Sequence, residues 1–110
     1  MTANEMTERI VTIVSERDYV SFAELMEICG PEAKGDLTLE LKENLVLWSG
    51  VSQLFDEAFK AALHRIQPMV TTPMTYLIDG EALKLPIAKR IRAYKKGHWL
   101  PVTFRLKGRA

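Results

Sequence analysis

The chain has very little cysteine and histidine: one Cys and two His in 110 residues. A lone thiol excludes an internal disulfide framework and suits a reducing compartment. Cys29, His64 and His98 share no metal-type spacing such as Cys-x-x-Cys, so neither a metal nor another cofactor is expected. No Gly-rich phosphate loop is present, and no Ser, Cys or Asp stands beside a histidine in a nucleophile–base pattern. Asp36, Glu40 and Glu43 form a possible carboxylate group, but a solvated edge is the simpler reading, and the chain is not expected to be an enzyme. No apolar run approaches the ~20 residues a membrane helix needs. The N-terminal stretch MTANEMTERIVTIV carries acids early and lacks the basic region of a signal peptide. The expected setting is the cytoplasm, with no membrane partner.

Acid is missing from one end of the chain. Residues 1–81 hold six Lys/Arg against all fourteen Asp/Glu, a net of −8, whereas residues 82–110 hold nine Lys/Arg and no acid, a net of +9. The near-neutral total therefore hides a strong asymmetry. Such a split has two readings: a nucleic-acid-binding segment, or two halves that neutralise each other within the fold or across a dimer.

What is present is ordinary for a globular protein. At 110 residues and 47% apolar content the chain is one domain with one core. Residues 2–17 have Met6, Ile10, Ile13 and Val14 at helical spacing, with Thr2 and Glu5 placed as a capping box. Tyr19 and Val20 form a short extended link. A second helix starts at Ser21, again with a capping-box glutamate at Glu24; it buries Phe22, Leu25, Met26 and Cys29, and Gly30-Pro31 stops it. Residues 37–48 alternate as Leu37-Thr-Leu-Glu-Leu41 and continue as Leu45-Val-Leu-Trp48, which favours a hairpin. The same residues place Leu37, Leu41, Leu45 and Trp48 at helical spacing, so a helix competes.

Ser52 is the expected N-cap of the central helix, whose stripe is Leu54, Phe55, Ala58, Phe59, Ala62, Leu63 and Ile66, with Gln67-Pro68 as its stop. Met69–Thr72 and Met74–Ile78 read as two short strands about Pro73, followed by a turn at Asp79-Gly80. Pro86 suits the first turn of a basic helix over 86–96 that carries Ile87, Ile91 and Tyr94 on one side. His98–Lys107 reads as a strand, and Pro101 marks it as an edge strand or as irregular at its start.

The order helix, link, helix, insert, helix, two strands resembles the winged helix-turn-helix superfamily. The resemblance covers residues 2–78 and is carried by Ser21-Phe-Ala-Glu-Leu at the start of the second helix and by Gly50-Val-Ser-Gln before the third. The chain departs from the family in the roughly twenty residues between those two helices, where a short turn is usual, and in residues 79–110, a basic C-terminal extension. The expected fold is α+β: three N-terminal helices, a short β-wing, and a C-terminal basic helix and strand.

The resemblance implies a small DNA-binding protein, a transcriptional regulator acting as a homodimer on double-stranded DNA. It makes Ser52–Ile66 the recognition helix, exposing Gln53, Asp56, Glu57, Lys60 and His64. Asp56 and Glu57 oppose phosphates there, or merely complement the positive end of the helix dipole, which is the preferred reading. Gln53 and Lys60 remain as contacts on that helix. The basic segment supplies Lys89, Arg90, Arg92, Lys95 and Lys96 as phosphate contacts, unless it is a solvated face or a partner surface. Tyr94 and Trp99 offer rings for base stacking, but packing on the core or a dimer mate is their expected role. The alternative function is a protein–protein interaction module on the same scaffold that binds no nucleic acid.

Overall fold

The protein, described here from a computed structural model covering residues 1–17, 19–72, 76 and 83–108, is an α+β domain. Among the described residues three helices pack with two small sheets. Helix α1 (Ala3–Glu16) is started by a complete capping box: the Glu5 N–H donates to Thr2 Oγ1 (3.1 Å) and the Thr2 N–H donates to Glu5 Oε1 (2.9 Å). That second bond holds the Glu5 carboxyl below the usual range. Met6, Ile10, Val11, Ile13 and Val14 are buried along α1, as the helical period requires.

The short strand β1 (Val20–Ser21) leads directly into α2 (Phe22–Cys29). Ser21 Oγ accepts from the Glu24 N–H at 3.1 Å, and the Glu24 carboxylate lies 3.6 Å from Arg17. Gly30 ends the helix at φ 87°, a conformation that side chains disfavour. After a 3-10 turn at Pro31–Ala33, strands β2 (Lys34–Lys42) and β3 (Leu45–Val51) form the hairpin expected for 37–48. The competing helix is ruled out by that pairing. Gly35 lies so close to the next helix that a Cβ there would stand 2.7 Å from Ser52 Cα.

Ser52 caps α3 (Gln53–Ala62), its Oγ accepting from the Phe55 N–H at 3.0 Å. The helix is shorter than its apolar stripe implies. It ends at Ala62, and Ile66 instead opens strand β4 (Ile66–Val70). The cause is tertiary: β4 pairs antiparallel with β6 (Val102–Leu106) from Ile66↔Leu106 to Val70↔Val102. Pro68 is tolerated inside β4 because the sheet order is β1-β6-β4, which leaves β4 at an edge. The expected strand over Met69–Thr72 thus overlaps β4 but pairs with β6. The second expected wing strand (Met74–Ile78), Pro73 and the Asp79-Gly80 turn lie outside the described residues, Tyr76 apart.

Two further expectations are corrected. His98–Lys107 is not one edge strand. Its first part is β5 (His98–Trp99), which runs parallel to β3 in a β2-β3-β5 sheet, and its second part is β6, the central strand of the other sheet. Leu100-Pro101 is the crossing between them. The basic helix over 86–96 is likewise absent: residues 83–97 form no helix. Its intended apolar side is not buried, since Ile87 is 40% and Ile91 54% exposed, and a short helix without a packed face is not stable.

The core joins helices and both sheets through aromatic rings. Phe22 meets Trp48, Phe55, Phe59 and Phe104 at centroid distances of 5.2–5.8 Å. Trp99 extends this cluster through Tyr76 (4.9 Å) and Trp48 (6.3 Å). The Tyr76 hydroxyl accepts from the Phe22 N–H (2.8 Å) and donates to the Val102 carbonyl (2.6 Å), which ties α2 to β6. No helix among the described residues is long and apolar enough to cross a membrane.

Candidate nucleic-acid interface

The basic segment is a loop fastened to the hairpin turn. Leu45↔His98 and Val46↔Trp99 form the short parallel ladder of β5 with β3, and buried Trp99 anchors it. On the outer side, Asn44 takes a left-handed conformation at φ 57°. That turn places three groups toward the loop: the Glu43 carbonyl accepts from the Tyr94 N–H (2.9 Å), the Asn44 carbonyl accepts from the His98 N–H (2.8 Å), and Asn44 Nδ2 donates to the Tyr94 carbonyl (3.0 Å). Further in, the Ala88 N–H donates to Trp99 and the Trp99 N–H donates to Pro86, each at 2.8 Å. These bonds from Ala88, Tyr94, His98 and Trp99 tie the loop to its neighbours at both ends without a helix.

Tyr94 organises the side chains. Its ring stacks on His98 at 4.1 Å, and the Arg92 guanidinium lies 4.5 Å from the ring centre. Its hydroxyl donates to the Arg90 carbonyl (3.0 Å) and accepts from the Arg90 N–H (3.2 Å). Burial pushes that hydroxyl up, but the backbone hydrogen bonds and the Arg92 charge outweigh it and hold the group below the usual tyrosine value. Around this centre are two concavities. One is lined by Lys89, Arg90 and Arg92 with Ile87, the other by Arg92, Lys95 and Lys96 with Glu43. Lys84, Lys89, Arg90, Arg92, Lys95 and Lys96 are all exposed. Among the described residues none of them has a carboxylate within ion-pair distance. Among the described residues, then, no ion pair joins the acidic half to this segment.

The structure places the two candidates on α3 differently. Lys60 is tied to Asp56 at 3.0 Å, and Gln53 Nε2 donates to Glu57 Oε1 at 3.3 Å. Both side chains are exposed, but each is engaged by an acid one turn away. On α3 two acids thus face one cation, while among the described residues the loop's cations have no acid in an ion pair.

The other chemistry-bearing residues are accounted for. Cys29 is fully buried, and burial pushes its thiol up to about 11, so it carries little thiolate at neutral pH. Trp99 is 1% exposed and cannot stack on a base; it packs on the core. Among the described residues no three His, Cys, Asp or Glu side chains are grouped to hold a metal ion. Sequence reasoning missed the role of Glu43-Asn44. The available signal was an Asn between two alternating apolar runs, which marks a turn, but nothing local tells that the turn holds a loop fifty residues away. No family model, curated protein or solved structure matches the chain.

Proposed function

We propose that the chain is a DNA-binding protein of winged-helix type, a small regulator of transcription that meets duplex DNA with the loop from Lys84 to His98. The topology supports the fold reading. Three helices are followed by an antiparallel pair, β4 and β6, and the strand between the first two helices adds to the far side of β6, giving β1-β6-β4. On this reading the β2–β3 hairpin is an insert between α2 and α3, the core runs to Leu106, and the loop from Lys84 to His98 belongs to an enlarged wing.

The observation that supports the function is the set of cations from Lys89 to Lys96 that have no carboxylate partner among the described residues, on a loop tied to the hairpin turn. Phosphate contact needs positive charge that is not engaged elsewhere. The test is duplex affinity against salt concentration. Five phosphate contacts correspond to a slope of about −4 to −5 in log affinity against log salt. No duplex binding at low salt would remove the proposal.

The second reading, a homodimeric or adaptor module, draws on the acidic α3 surface, where Asp56 and Glu57 accept hydrogen bonds from the side chains of Lys60 and Gln53. It expects a stable dimer or hetero-complex with no affinity for nucleic acid, and sedimentation of the purified chain together with the salt titration separates the two.

A further inference from the structure

We propose that the loop from Lys84 to His98 also docks on a bilayer surface bearing anionic phospholipid headgroups. Its cations are interleaved with large apolar side chains that the fold leaves in solvent: Leu85 is 37%, Ile87 40% and Ile91 54% exposed. These are three of the eight exposed large apolar residues among the described residues, gathered within seven positions. Ile91 stands between Arg90 and Arg92, and Ile87 lines the same concavity as Lys89, Arg90 and Arg92. Duplex phosphates give exposed isoleucines nothing to bury against. A bilayer interface serves both kinds of side chain at once, apolar groups at the acyl boundary and cations among the headgroups.

Two further features fit this partner. The loop is held rigid at its base, by buried Trp99 and by the Glu43-Asn44 turn, so the apolar side chains are displayed rather than folded away. The remainder of the chain is acidic, net −5 outside residues 84–98, and an anionic surface repels it. Attraction at one end and repulsion from the rest orient the molecule with the loop toward the lipid. The sequence expectation of no membrane partner rests on the missing spanning run, and an interfacial contact needs none.

The experiment is vesicle co-sedimentation of the full chain with phosphatidylcholine vesicles, with and without phosphatidylglycerol, run beside a duplex gel shift. The expected result is binding to the anionic vesicles only. The Leu85→Ser, Ile91→Ser double variant is expected to lose about tenfold or more in vesicle affinity and to keep duplex affinity within about twofold, since it removes no charge. Both positions are exposed, so the variant is expected to fold, with its thermal transition as the control. Absence of binding to anionic vesicles overturns the proposal. So does equal vesicle binding by the variant, which leaves charge alone as the cause, or an equal loss on vesicles and duplex, which makes these two side chains props for the loop's shape. Vesicle binding without duplex binding removes the DNA reading and leaves this one standing.

Discussion

The exposed face of α3 and the loop from Lys84 to His98 both carry cations, yet they differ in what those cations face. On α3 the polar groups are consumed within the helix: Lys60 by Asp56, Gln53 by Glu57. On the loop, among the described residues, no cation is matched by an acid. The helix has the strongest apolar stripe and buries Phe55, Ala58, Phe59 and Ala62, so its order comes from the core. Within the loop only Ala88 is buried, with Trp99 and Leu100 buried just after it, and its order comes from backbone hydrogen bonds to the hairpin. The lesson is that the element with the clearest helical signal forms the frame, while the element with the weakest regular structure holds the available charge.

The largest effect that tests this contrast is charge reversal. Lys89→Glu, Arg90→Glu and Arg92→Glu together are expected to lower duplex affinity by about a thousandfold or more at low salt, since each removes a phosphate contact and adds repulsion. Electrophoretic or anisotropy titration reads it. An affinity left within about threefold would break the contrast and move the contact surface elsewhere. Next in size is Trp99→Ala, expected to cost about 3–5 kcal/mol of stability by denaturant unfolding. Trp99 packs against Trp48 and Tyr76, so the loop's foot is part of the core. A negligible change would mean the loop is an appendage.

Much of the frame was legible because it depends on local signals. Thr2, Ser21 and Ser52 cap their helices as their spacing implies, Gly30 ends α2, and the alternation over 37–48 gives the hairpin. What was not legible depends on long-range pairing. Ile66 fits the α3 stripe in period, yet it is taken by Leu106 across a ladder forty residues away. The 86–96 segment has Pro86 at a helix-start position and apolar residues at helical spacing, yet no core surface receives Ile87 or Ile91. Of the site, the charged residues were found from composition alone, because charge needs no fold to be noticed. Their clamp at Glu43-Asn44 was not, because it is created by the parallel β3–β5 ladder.

Two smaller effects sharpen how the loop is held. Tyr76→Phe leaves the buried Phe22 N–H and Val102 carbonyl without the hydroxyl that now bonds both. A buried group losing its partner costs about 1–3 kcal/mol, and chemical denaturation measures it. Asn44→Ala removes the Nδ2 bond to Tyr94 and places alanine at φ 57°. The expected cost is about 1–2 kcal/mol. Because no cation is lost, the salt slope of duplex binding is expected to stay fixed while affinity falls several-fold. A changed slope would mean that Asn44 alters which phosphates are reached rather than how firmly the loop is held.

The smallest expected effect is the most direct comparison of the two surfaces. Lys60→Gln removes a cation from α3, but that cation is already shared with Asp56 at 3.0 Å, on a side chain 65% exposed. An exposed i,i+4 pair is worth only about 0.3–0.5 kcal/mol, so stability should barely move. Duplex affinity should change less than about threefold, because the variant removes charge that is locally balanced. Lys95→Gln removes the same charge from a position with no acid partner among the described residues, and it should cost more affinity and lower the salt slope by about one contact. If Lys60→Gln weakens binding as much as Lys95→Gln, then Asp56 releases Lys60 when DNA arrives, and the paired face of α3 is a second contact surface rather than only a frame.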